Sequence, residues 1–156
     1  MNAPVKITPA PVRKSILVNA SQTRAFEVFT ARFNSWWPRT HHIGAAEMKE
    51  AIVEPRAGGR WYEKSVDGSE CDWGKVLVWE PPSRIVLSWK INSKFQYEGA
   101  LDSEVEVRFT PEASGTRVDL EHRITAADAE EIRASVDSPR GWGLVLEQYA
   151  QAVAGG

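Results

Sequence analysis

Hydrophobic and polar positions alternate with period two through the middle of this chain and switch to helical spacing near both ends. Between Val12 and Val18, Ile16 and Val18 share one face with Lys14, while Arg13 and Ser15 take the other, which predicts a half-buried strand. Ser21 then offers an N-cap for a helix running to about Phe33, with Ala25, Phe26, Phe29 and Phe33 at helical spacing and Val28 widening the stripe. The next residues, Asn34-Ser35-Trp36-Trp37-Pro38, leave room for one short helical turn before Pro38 restricts the backbone preceding it.

From residue 47 to residue 124 the pattern predicts a six-strand meander: Met48 to Val53, Arg60 to Val66, Cys71 to Trp79, Arg84 to Ile91, Glu104 to Phe109 and Thr116 to Ile124. Turn chemistry separates the strands at Gly58-Gly59, Asp67-Gly68, Pro81-Pro82-Ser83, Glu98-Gly99 and Ser114-Gly115. In the last two strands Val105, Val107 and Phe109, and Val118, Leu120, His122 and Ile124, face one way, with charged residues on the other side. Such a sheet needs helices over its apolar face. The third of the six is ambiguous: Cys71, Trp73, Leu77 and Trp79 share odd positions, but Val76 and Val78 are also apolar, so the inner face can slip by one residue.

Two covering helices are expected after the meander. Thr125 with Asp128 resembles a capping box for a short acidic helix through Ile132 and Val136. Ser138-Pro139 pairs an N-cap residue with a proline suited to the first helical position. A last helix up to about Ala154 then carries Trp142, Val145, Leu146, Tyr149 and Val153 as one stripe. Gly141 and Gly143 flank Trp142 and suggest either a tight corner or the close approach of a strand or ligand. Residues 1–11, with Pro4, Pro9 and Pro11, read as a loose arm, and residues 12–154 as a single domain.

Composition narrows the function classes. Nineteen basic and 21 acidic side chains leave a formal charge of -2, so no positive field favours nucleic acid. No apolar run approaches the roughly 20 residues of a membrane span, and no signal-peptide h-region follows the N-terminus, so a cytoplasmic protein is expected. One cysteine, Cys71, excludes an internal disulfide and a thiolate zinc cluster, and reads as a small buried hydrophobe. Adjacent His41 and His42 do not preorganise a metal site, and no cofactor is expected. Gly58-Gly59 lacks the spacing of a phosphate loop.

Several motifs occur in order across nearly all of residues 12–154: Ile16-Leu17-Val18-Asn19-Ala20 before Ala25-Phe26-Glu27-Val28-Phe29; Trp36-Trp37-Pro38; Gly58-Gly59-Arg60-Trp61; Gly74-Lys75-Val76 through Trp79-Glu80-Pro81-Pro82; Arg84-Ile85-Val86-Leu87-Ser88-Trp89; and Gly141-Trp142. Together they resemble the small proteins similar to the C-terminal domain of the activator of the Hsp90 ATPase, within the START-like (SRPBCC) superfamily. The resemblance implies an α+β helix-grip fold of order β-α-α-β6-α, with a hydrophobic cavity between the curved antiparallel sheet and the long C-terminal helix. It transfers no catalytic residue, because the enzymes among such relatives place their polar groups individually. The eukaryotic activator engages its chaperone through a separate N-terminal domain for which eleven residues leave no room, so an Hsp90-like chaperone is the least favoured partner.

Seven tryptophans in 156 residues exceed what a close-packed core requires, and each carries an N–H that seeks a partner when buried. We expect an aromatic-lined pocket for a small apolar or aromatic molecule, with Trp73, Trp89, His122, Trp142, Leu146 and Tyr149 on its walls and indole N–H groups as optional handles. Arg60, Tyr62 and Tyr97 are candidates for polar contacts at its mouth. The alternatives are a cyclase-, hydrolase- or dehydratase-type enzyme using the same cavity, with His122 as the natural acid or base, and a chaperone-associated interaction module. An edge strand could pair two copies into a homodimer, and no surface pattern decides this.

Overall fold

The computed structural model describes residues 5–155. The elements run β1 (Val12–Val18), α1 (Gln22–Thr30), α2 (Phe33–Trp36), β2 (Met48–Val53), β3 (Arg60–Ser65), β4 (Glu70–Glu80), β5 (Arg84–Ser88), β6 (Asp102–Glu112), β7 (Gly115–Thr125), α3 (Ala129–Val136) and α4 (Trp142–Ala154). This is an α+β helix-grip fold. All strand pairs are antiparallel, in the order β1-β7-β6-β5-β4-β3-β2, and the sheet curls into a half-barrel holding α4. Among the described residues no helix is long and apolar enough to cross a membrane.

The inner face of the sheet follows the alternation. Val105, Val107, Phe109, Val118, Leu120 and His122 are at most 2% exposed. On the outer face, Glu106 receives Arg84, Arg108 and Arg123 at 2.7 to 2.9 Å, forming a charged ladder across β5, β6 and β7. Desolvation raises the Glu106 pKa, but its arginine partners outweigh that and hold it below the ordinary carboxylate range.

Two bulges in β4 resolve its ambiguity. Trp61 opposes Gly74 while Tyr62 opposes Asp72, so Trp73 is the extra residue; Val76 opposes Leu87 while Val78 opposes Val86, so Leu77 is the second. Each bulge shifts the parity of the strand by one. Trp73 and Trp79 therefore both reach the core although Val76 between them is also buried, and Leu77, expected beside them, is 46% exposed. Gly74 permits the close approach this needs, since a Cβ there would meet the Ser88 carbonyl oxygen.

Several expected boundaries move. The first helix ends at Thr30, and β5 ends at Ser88 rather than Ile91, which instead bridges Tyr97. Thr125 and Asp128 make no capping box: the Asp128 carboxylate accepts from the amide and hydroxyl of Ser93 and makes no cap bond to α3. Ser138-Pro139 does not open the last helix. The chain turns sharply at Gly141, where any Cβ would collide with the Val136 carbonyl oxygen, and α4 begins at Trp142. Gly141 thus makes a structural corner, whereas Gly143 faces open space. Of the expected N-terminal arm, residues 1–4 lie outside the described residues; further along it Ile7 pairs with Ala126, Thr8 bonds Thr125 at 3.0 Å, and Arg133 Nε donates to the Ala10 carbonyl.

Candidate functional site

A pocket of about 480 Å³ lies between the loop after α2, the ends of β4 and β5, and the α3–α4 corner. Trp37, Trp73, Trp89 and Trp142 form its aromatic wall, with ring centroids 5.2 Å apart for Trp37 and Trp73, 6.0 Å for Trp37 and Trp142, and 5.6 Å for Trp89 and Trp142. Trp61 packs behind them against Trp73 and Trp89. Ile43, Ile91, Val136 and Val145 extend the apolar lining, while Thr40, His42, Ser135 and Arg140 bring polar groups to it.

Every indole N–H of this wall is already committed. Trp37 donates to the His41 carbonyl at 2.7 Å, Trp73 to Glu63 Oε1 at 2.8 Å, Trp89 to the Ile91 carbonyl at 2.9 Å and Trp142 to His122 Nδ1 at 3.0 Å. The rings thus offer aromatic surface rather than the polar handles expected of them, and shape and stacking govern what fits. Hydrogen bonding to a ligand falls to the polar groups of the other walls.

The residues expected on the walls divide. Trp73, Trp89 and Trp142 line the pocket; His122, Leu146 and Tyr149 are buried outside its lining. His122 accepts from Trp142 through Nδ1 and therefore carries its proton on Nε2, which lies 2.8 Å from Ser103 Oγ. Burial, helped by the nearby Arg123 charge, pushes its pKa down to about 3. A fully engaged neutral imidazole is not the acid or base expected from the strand pattern. Tyr149 donates to the Ala25 carbonyl at 2.7 Å and locks α4 onto α1, with burial raising the pKa of its phenol. Arg60 is also elsewhere, paired with Asp72 and Glu70 and stacked over the Tyr62 ring. The Cys71 thiol is half-buried, and desolvation, then Glu63, raises its pKa.

The loop between Pro38 and Gly44 brings in residues the pattern assigned to no face. Its anchor is Glu63, fully buried, whose carboxylate accepts from the amides of Ile43 at 2.6 Å and Gly44 at 3.2 Å as well as from Trp73. His41 ties this loop to the α3–α4 corner: its Nε2 donates to the Arg140 carbonyl at 2.7 Å and its Nδ1 meets Thr40 Oγ1 at 3.0 Å. At the mouth, Phe95 is 60% exposed with φ of 58°, a left-handed conformation unfavourable for a large side chain.

The family described as Activator of Hsp90 ATPase homolog 1-like protein matches residues 19–154, nearly the whole fold. The chain belongs to this family. A search of the curated proteins found no match. Among solved structures, this AHSA1-like chain is similar to an anthrahydroquino-γ-pyrone synthase, Txn09, complexed with SUM. The two share 36% identity over 93% of this chain and 97% of the other, with a TM-score of 0.61. The self-sacrificing resistance protein CalC from Micromonospora echinospora is 26% identical over 94% of this chain and 95% of that one, with a TM-score of 0.67. An AHSA1-like protein from Aeromonas hydrophila, at 17% identity over 93% and 92% of the two chains and a TM-score of 0.63, shares the fold.

Neither the family match nor the period-two pattern finds Thr40, His42, Phe95 or Arg140. They sit on loops and at a helix corner, where no periodicity exists to read. The one available signal was the His41-His42 pair itself, which sequence examined only as a metal site; among the described residues no cluster suited to a metal ion occurs.

Proposed function

We propose that this AHSA1-like protein binds a flat polycyclic aromatic or partly reduced aromatic molecule in the tryptophan-walled pocket. The observation that carries this reading is the wall itself: four indoles whose N–H groups are all satisfied within the protein, leaving aromatic surface beside about 480 Å³ of space. That volume matches a ligand of three or four fused rings, within the roughly 300 to 1,000 Å³ typical of small-molecule sites. The 36% identical relative is named for a product containing an anthrahydroquinone and a pyrone, which supports a ligand of this shape. Arg140, without an ion-pair partner among the described residues, suits a phenolate or carboxylate at the ligand's edge.

Tryptophan fluorescence tests the reading. Titration with 1,8-dihydroxyanthraquinone should quench emission saturably, and Trp89→Ala should weaken binding by about tenfold, the loss expected of one stacking partner. Absence of saturable quenching by this compound and by related anthrones and naphthoquinones would overturn it.

A further inference from the structure

We infer that His42 is a proton acceptor facing this pocket and serves a ligand C–H bond made acidic by conjugation with a carbonyl, with Glu63 as the residue that positions it. The inference rests on the binding reading above and adds a reaction to it. Of the three histidines, two have no nitrogen to spare: His122 is bonded to Trp142 and Ser103, and His41 to Thr40 and the Arg140 carbonyl. His42 differs. Its Nδ1 lies 3.0 Å from the Gly44 carbonyl oxygen, which can only accept, so Nδ1 carries the proton and Nε2 keeps its lone pair. That Nε2 has no hydrogen-bond partner among the described residues, and the His42 side chain, 24% exposed, lines the pocket.

Behind the imidazole stands the fully buried Glu63, its Oε2 3.9 Å from His42 Nδ1. Glu63 acts on the ring in two ways. By accepting from the Ile43 and Gly44 amides it fixes the two peptides between His42 and Gly44, the residue whose carbonyl orients Nδ1, and its carboxylate lies where it favours the imidazolium formed when Nε2 takes a proton. This is a base oriented by a carbonyl and backed by a carboxylate, an arrangement suited to general base catalysis.

The step balances without oxidant or cofactor. A C–H bond conjugated with the ligand carbonyl, as at C10 of an anthrone across the ring from its C9 carbonyl, breaks; the proton passes to His42 Nε2, and the electron pair is delocalised through the ring onto the carbonyl oxygen as an enolate. Arg140, which also lines the pocket, supplies a cation for that oxygen. Return of the proton from the imidazolium to carbon, at the same or another position, regenerates the base. The substrate class is therefore a polycyclic ketone that enolises, such as an anthrone.

Anthrone itself is the probe, kept under argon in deuterium oxide, with deuterium entry at its C10 methylene followed by proton NMR and binding followed by tryptophan quenching. The wild-type protein should accelerate exchange over buffer, and His42→Gln should lose that acceleration by about 100-fold or more while its affinity for anthrone stays within about threefold. Glu63→Gln should lower the turnover rate about tenfold with KM unchanged, a split that a merely structural role would not give. Saturable binding with no acceleration by the wild type, or full acceleration by His42→Gln, overturns the role of His42 and leaves the binding reading standing. No binding of anthrone or of any compound in the quenching series overturns both. If Glu63→Gln does not fold, His42→Gln, at a half-buried loop position, decides the matter alone.

Discussion

The indole of Trp142, the first residue of α4, donates its N–H to Nδ1 of His122 on β7 at 3.0 Å, deep inside the protein. With the 2.8 Å contact between His122 Nε2 and Ser103 Oγ, a single neutral imidazole links the start of the last helix to two interior strands, β7 and β6. His122→Leu leaves a buried N–H and a buried hydroxyl unpaired. It should cost about 3 kcal/mol in urea denaturation, with little change in anthrone-type binding.

Burial of the same imidazole sets a pH dependence. The folded-state pKa of His122 is about 3 against an ordinary value near 6.5, so between these values the unfolded chain binds a proton that the folded protein does not. Stability therefore falls as pH drops below about 6.5, by up to about 1.4 kcal/mol per pH unit. Glu106, Glu121, Asp128 and Asp137, whose folded pKa values are depressed, add their own losses near and below pH 4. Chemical denaturation from pH 6.5 to 5 isolates the histidine: the wild type should lose stability steeply there, and His122→Leu should show a nearly flat profile.

Tyr149 is a packing residue. Tyr149→Phe removes the hydroxyl bonded to the Ala25 carbonyl and should destabilise by about 1 kcal/mol. Affinity for 1,8-dihydroxyanthraquinone should be unchanged. A tenfold loss of affinity without loss of stability would place this side chain at the ligand.

Phe95 holds a left-handed backbone at the pocket mouth with most of its ring in solvent. Phe95→Gly relieves the strained φ at some cost in chain entropy, so thermal stability should change by less than about 1 kcal/mol. Ligand affinity should fall several-fold because the ring no longer covers the bound molecule. Equal affinity in the two proteins would show the ring to be a bystander.

Glu63→Ala strips acceptors from the Ile43 and Gly44 amides and from the Trp73 indole at one stroke. A loss of about 3 kcal/mol or more is expected, since several buried donors lose their partner. Amide hydrogen exchange should locate the damage, with faster exchange at Ile43 and Gly44 and little change in β6 and β7.

Local pattern alone determined the order of the elements, the inner faces of β6 and β7, the stripe of α4 and the family. Each of these follows from a period of two or 3.6 residues, or from motifs contained in short stretches of chain. Trp73, Trp89 and Trp142 were legible as a group for the same reason, since indoles are rare and bulky wherever they fall. Only the tertiary structure decided which partners satisfied those indoles, that two bulges bring Trp73 and Trp79 inward, and that His122 is spent while His42 keeps a nitrogen without a partner among the described residues. The contact from His41 to Arg140 spans 99 positions in sequence, and Glu63 reaches its loop across 19 or 20. Such hydrogen bonds depend on how the curled sheet sets remote loops against one another, and no spacing along the chain encodes them. The excess of tryptophan pointed to a pocket; the packing of a loop with no periodicity gave that pocket its base.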